Sequence, residues 1–333
     1  MFRSHSVWDY INLIQRLSET DAPKFFGLPE NVNRSWQLSR SVDIIEQLKT
    51  VHQEPDVKRS DWKTQLTPIL NLWKKINQSN TLIQTKLNKD VHSFDSPLSA
   101  FLHQEFVFSI TLVQHIHNCL AGISKVIRGS SAGDNEINKA ANDIMNQQTP
   151  DAWQSLWTGS QNPLLYIRSV VTRGVTVHAS YQRSDSFWKS PVDLSGLFHP
   201  EAFLSVLKQH TARHYKIPLD ELFARTDWFA KDSRSSNQIS VIIEGLLIEG
   251  AQFQREKLVE LTKDSPICTS APPLTFAYVP KDNALLGDTQ KLQVPLYTSA
   301  SRDVIITEID IPIWGDQDRI KWLQSGTALY VRL

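Results

Sequence analysis

The stretch GLLIEGAQF, Gly245–Phe253, decides the fold, because it follows directly on a segment in which Ile239, Val241 and Ile243 alternate with Ser240 and Glu244. Alternation with a period of two gathers the apolar members on one face of a β-strand, and the glycine ends it. The same period returns at Leu274, Phe276 and Tyr278, at Leu292, Val294 and Leu296, and at Ile309, Ile311 and Ile313, with turn residues between them. Several short strands in succession imply an antiparallel sheet or small barrel, with Ala328–Leu333 as the strand that closes it.

Upstream the period is helical. Ser6 with Asp9 forms a short capping box ahead of Val7, Tyr10, Ile11, Ile14 and Leu17, which predicts a helix ending near Ser18. Pro23–Pro29 break it, and Leu38, Val42, Ile45, Leu48 and Val51 predict a second. Ser60 caps a third through Trp62, Leu66, Ile69, Leu70, Trp73 and Ile76, which Pro68 should bend or shift. Asn88–Asp95 reads as loop. From Ser96, with Pro97 suited to a first turn, apolar residues at Leu98, Phe101, Leu102, Val113, Ile116, Leu120, Ile123 and Ile127 carry one helix to Arg128. At about 1.5 Å per residue it runs roughly 50 Å, the length of a strut between two bodies.

Gly129–Gly133 stops the strut, and a small helix follows at Glu136–Asn146. The chain divides near Pro150, after which Leu164–Tyr181 and Pro200–His214 predict two more helices before the strands begin. The fold class is α+β: an N-terminal helical bundle over 1–148, with its strut at about 97–128, then a second domain over 149–333. That domain has helices over about 150–216 and a β-barrel-like part over about 220–333.

Composition narrows the function. A length of 333 residues favours about two domains, each able to bury a core. Thirty-five basic residues balance thirty-five acidic ones, so no overall field recruits nucleic acid or an anionic membrane. The two cysteines, Cys119 and Cys268, match neither a disulfide framework nor a zinc spacing. No apolar run approaches the roughly 18 residues that span a bilayer. The polar start Met1–Ser6 lacks the core of a secretion signal, and the expectation is an intracellular protein.

Candidate chemistry is sparse. Gly129–Gly133 has glycines but no following lysine, so it is a helix stop and not a loop that binds or hydrolyses ATP. His210 and His214 share a helix face at a spacing that holds a metal, but Thr211 stands where a metalloprotease has glutamate, while His115 and His117 diverge. Glu308 and Asp310 share a strand face, and with Glu244 they offer paired carboxylates to a hydrolase; the solvated side of a strand explains them more simply. There is no GxSxG elbow. Lys58-Arg59, Lys74-Lys75 and Lys86–Lys89 read as wet helix faces. Trp153 and Trp157, four apart, are core or the docking patch of an adaptor.

Seven segments in order resemble dynein heavy chains near their carboxyl end: FGLPENVN at Phe26–Asn33, PLSAFLHQE at Pro97–Glu105, PDAW at Pro150–Trp153, LSGLFHPEAFL at Leu194–Leu204, QHTAR at Gln209–Arg213, GLLIEGAQF, and PLYTSASR at Pro295–Arg302. Positions that match the family are Phe26, Gly27, Asn31, Pro97, Gln104, Glu105, Trp153, Gly196, Arg213, Glu249, Gly250, Ala251, Arg302, Trp322 and Gly326. The resemblance implies that 1–148 is the helical lid of the sixth AAA module and 149–333 the dynein C-terminal domain.

It further implies a non-catalytic cap that braces AAA modules of the same heavy chain and modulates motility. No cofactor is implied in this region, since ATP and Mg belong to other modules, and microtubules are reached only through the parent motor. Asp193 and Leu197, where many dyneins read WLSGFF, resemble the second cytoplasmic dynein class of retrograde intraflagellar transport, and so imply cytoplasm and cilium.

Overall fold

The computed structural model describes residue 23 and residues 30–51, 62–79, 94, 96–131, 133–183, 187–229, 239–254, 257–261, 266–280, 291–300, 302–313 and 316–331. The predicted helix at Ser6–Ser18, the cap at Ser60, and Phe26, Gly27, Lys58-Arg59 and Lys86–Lys89 lie outside these residues.

The helices are α1 (Glu30–Val51), α2 (Trp62–Ser79), α3 (Pro97–Ile127), α4 (Asn135–Met145), α5 (Asp151–Gln154), α6 (Pro163–Tyr181), α7 (Pro200–Tyr215) and α8 (Asp316–Gln324). The predicted strut is α3, and its ends follow from local chemistry. Ser96 Oγ accepts the Ser99 N–H at 3.1 Å and Ser99 Oγ accepts the Ser96 N–H at 3.1 Å, a capping box closed by two serines with Pro97 at the first position. At the other end Gly129 takes φ +77°, which lets Ser130 N–H reach Lys125 O and Gly129 N–H reach Val126 O.

Leu98, Phe101, Leu102, Ile110, Val113, Ile116, Leu120 and Ile123 of α3 are buried, and the helix packs against α6, α7, α4 and α2. By length and composition α3 is apolar enough to cross a membrane, which corrects the expectation that no run approaches that length. Here its apolar faces are core.

Two other expectations change on contact with packing. The start of α2 is not shifted to Pro68, which sits inside the helix. Trp62, Leu66, Ile69 and Trp73 are all buried, and Trp73 Nε1 donates to His117 Nδ1 at 3.1 Å; such burial offsets the cost of about 3 kcal/mol for an interior proline. The run Leu38, Val42 and Ile45 does form a helix, α1, but these side chains are 58%, 52% and 52% exposed.

Among the described residues the strands form two separate sheets and a hairpin, not a barrel. β1 (Val192–Asp193), β3 (Ser240–Glu244), β8 (Leu274–Pro280) and β2 (Leu222–Asp227) lie in the order β1-β3-β8-β2. β10 (Ile305–Pro312), β9 (Lys291–Tyr297), β11 (Ala328–Val331), β4 (Leu246–Glu249) and β7 (Cys268–Ser270) form the second sheet in that order, and β5 (Gln252–Gln254) pairs β6 (Lys257–Val259). The predicted closing strand is β11, which instead fills the centre of the second sheet, antiparallel to β4 and parallel to β9. The pair β1 and β3 is parallel too, so neither large sheet is purely antiparallel.

The physical reason for the open architecture is at the edges. β1 has two residues and β7 three, too short to extend a ladder round a closed sheet. Where β2 meets β10, the contact is made by side chains: Thr226 Oγ1 and Trp228 Nε1 donate to Asp310 O at 2.8 and 2.7 Å.

Candidate functional site

Two buried carboxylates organise the molecule. The first is Glu105 on α3, 2% exposed. Its Oε2 accepts the Phe198 N–H at 2.7 Å and its Oε1 meets His199 Nδ1 at 2.6 Å, so α3 grips the Leu194–Pro200 segment just where α7 begins. A buried carboxylate without such donors is costly. The hydrogen bond to Glu105 raises the His199 pKa against the opposing effect of burial.

Around this pair, Trp157 Nε1 donates to Phe198 O at 3.3 Å, and Arg173 of α6 donates to Ser195 O at 2.6 Å while its guanidinium lies 5.0 Å from the Trp157 ring centroid. Burial lowers the Arg173 pKa to about 10, with Asp193 and Glu105 opposing the shift. Tyr166 places its hydroxyl 2.8 Å from Trp153 O and 2.9 Å from Trp157 O, locking the short α5 turn to α6. Gly196 is needed for close approach, since a Cβ there would come within 2.8 Å of Thr176 Cγ2.

The second is Glu249 at the end of β4. Its Oε2 accepts from Arg302 Nη2 at 2.9 Å and from the Tyr330 hydroxyl of β11. Arg302 also donates through Nε to Tyr330 at 2.8 Å and through Nη2 to Gly326 O at 3.0 Å, using the fork that lysine lacks. Burial is the strongest single influence and acts to lower the Arg302 pKa, but the hydrogen bonds and charges of Glu249 and Tyr330 together outweigh it and the net shift is upward. Burial, then the bond to Glu249, raises the Tyr330 pKa, so its hydroxyl stays a donor.

Gly250 follows with φ +79°, and a Cβ there would stand 2.7 Å from Ser325 O. That same carbonyl accepts from Asn31 Nδ2 at 2.9 Å, which ties the start of α1 to the last turn before β11.

Of the positions singled out by sequence, the structure gathers Asn31, Glu249, Gly250, Arg302 and Gly326 at this second hub, with Ala251 and Trp322 buried in the same core. Glu105 and Gly196 meet at the first, where Trp153 is fully buried. Pro97 starts α3, while Gln104 and Arg213 are exposed. Sequence reading missed His199, Arg173, Tyr166, Ser325 and Tyr330.

The competing chemistries do not assemble. Trp153 and Trp157 are 0% and 9% exposed, which corrects the reading of them as an adaptor's docking patch. Glu308 is exposed on β10, Asp310 faces Lys291 at 3.7 Å, and Glu244 belongs to the other sheet beside Asp193, so the acidic face of a hydrolase is not formed. His214 is exposed and rests edge-on against Tyr215, and no group of three or more metal-ligating residues occurs among the described residues. Burial pushes the Cys119 thiol up to about 11, away from reactivity.

What these hubs share is that their hydrogen bonds tie distant backbone segments together, from Glu105 and Arg173 to the Ser195–Phe198 backbone and from Arg302 and Asn31 to the Ser325–Gly326 backbone. The family model that describes the C-terminal domain of the dynein heavy chain matches residues 38–331, which take in both hubs except Asn31. The protein belongs to the dynein heavy chains. It is 37% identical to human cytoplasmic dynein 2 heavy chain 1 over 99% of its own length and 8% of that relative. The sea urchin Tripneustes gratilla protein of the same name is 35% identical over 97% of the present sequence and 8% of its own length. Human dynein axonemal heavy chain 12 is 26% identical over 98% of the present sequence and 11% of its own length. This dynein segment thus spans less than about an eighth of the curated relatives it matches, and as a C-terminal region it is not the catalytic module.

Proposed function

We propose that this region is a mechanical cap of a dynein motor ring, bracing the other AAA modules of its heavy chain and modulating microtubule motility in retrograde intraflagellar transport. The observation that carries the reading is the pair of buried hubs, whose family-matching residues make rigid joints and leave no reactive group. In this reading, 1–148 is the lid of the sixth AAA module and 149–333 the C-terminal domain. The exposed stripe Leu38, Val42 and Ile45 of α1 is a surface for the preceding part of the heavy chain. ATP and Mg serve other modules, and the site of action is the cytoplasm and the cilium.

The physical logic is strain. A ring motor passes through several shapes, and a rigid cap alters their balance only by contacting those shapes differently. The rigid joints at Glu105 and Glu249 keep such a cap from deforming along with the ring. The test is to express the heavy chain truncated at Pro150 in ciliated cells lacking the intact one and to follow transport trains. Slowed retrograde trains with normal anterograde speed support the proposal, and normal speeds in both directions refute it.

A further inference from the structure

We propose that Ser190 is a phosphorylation site for a proline-directed protein kinase. Four Ser–Pro or Thr–Pro pairs lie wholly within the described residues, at Thr67, Ser96, Thr149 and Ser190. The first three hydroxyls are engaged. Thr67 Oγ1 donates to Lys63 O inside α2, Ser96 caps α3, and Thr149, 4% exposed, donates to Ser160 O at 2.8 Å. Ser190 differs in the engagement of its hydroxyl, while it shares its exposure with Thr67. It is exposed between exposed Lys189 and Pro191, and its side chain has no partner among the described residues.

Proline after the acceptor is itself a recognition element, since it has no N–H and fits a kinase pocket that offers none a partner. In the transfer, the bond from the γ-phosphorus of ATP to its bridging oxygen breaks as Ser190 Oγ bonds that phosphorus. The hydroxyl proton passes to the kinase's catalytic carboxylate and ADP leaves.

The new group carries roughly two negative charges at neutral pH. It would stand at a 360 Å³ pocket between α6 and the segment leading into β1, a pocket lined by Ser190 together with Arg183 and Asp193. Arg183 attracts the phosphate toward α6, while Asp193, in register with Glu244 of β3, repels it. The modification therefore acts on how β1 is held, at the head of the Leu194–Pro200 segment that Glu105 grips.

The test is to treat the full-length protein with a purified proline-directed kinase and ATP and to map phosphate by mass spectrometry. Expected is phosphate on Ser190, absent in Ser190→Ala and reduced at least tenfold in Pro191→Ala, with circular dichroism verifying that both variants fold. Modification of other residues with Ser190 left bare, or Ser190 phosphorylation indifferent to Pro191→Ala, overturns the proposal.

Discussion

Replacing Glu105 probes the first hub directly. Glu105→Gln keeps an acceptor for the Phe198 N–H and turns an amide N–H toward His199 Nδ1, which accepts it once the imidazole is neutral. What is lost is charge assistance, about 1–2 kcal/mol. Glu105→Ala removes both acceptors, leaves a buried N–H unpaired and opens a cavity, so its cost is about 3–5 kcal/mol. Because the His199 ring keeps one exposed edge, water recovers part of its share, and the loss concentrates at Phe198.

The pH dependence carries the same signature. The His199 pKa is raised in the folded protein, so its stabilising contribution is complete below the unfolded value of about 6.5 and is lost as pH rises through the folded value. Urea unfolding followed by tryptophan fluorescence at pH 6 and pH 8.5 measures both effects. Wild type should lose stability between the two, and both variants should flatten that difference. An alanine variant within about 0.5 kcal/mol of wild type, or an unchanged pH slope in Glu105→Gln, refutes the reasoning.

The remaining expectations concern the second hub and the backbone. Gly250→Ala forces a Cβ against Ser325 O at φ +79° and should cost about 2–4 kcal/mol, whereas Gly129→Ala, at φ +77° with nothing within 4 Å, should cost only about 1 kcal/mol; urea midpoints at constant slope rank them. Arg302→Lys loses the bridge from Tyr330 to Gly326 and should destabilise by about 1–3 kcal/mol, visible as a lowered thermal midpoint. Trp157→Phe keeps a ring near Arg173 but drops the bond to Phe198 O, and about 1 kcal/mol by urea unfolding is expected.

Helices were legible where caps and periodicity agree. Ser96, Pro97 and the apolar stripe give α3 to within a residue at each end. Strands were legible where one face is wet: the alternating apolar residues of β9 and β10 are buried as read. Strands buried on both faces do not alternate, which is why β4, reading LLIE, carries no period-two signal and why nothing in β11, with all four residues buried, marks it as a central strand and not the closing one.

Three-residue strands such as β5, β6 and β7 are too short to show any period. Which strands pair is a separate question that alternation never answers, and the barrel expectation failed there. The hubs were half legible. Glu105, Glu249 and Arg302 stood out by family resemblance, but their partners lie 93, 94, 81 and 53 residues away, beyond any local rule.

At the centre stands the claim that this region shapes the motor's output without performing its chemistry. The most direct measurement is the velocity, stall force and ATP turnover of the purified motor with and without residues 150–333. Velocity or force should change while the truncated motor still hydrolyses ATP. Identical velocity, force and turnover in the two motors would contradict the claim.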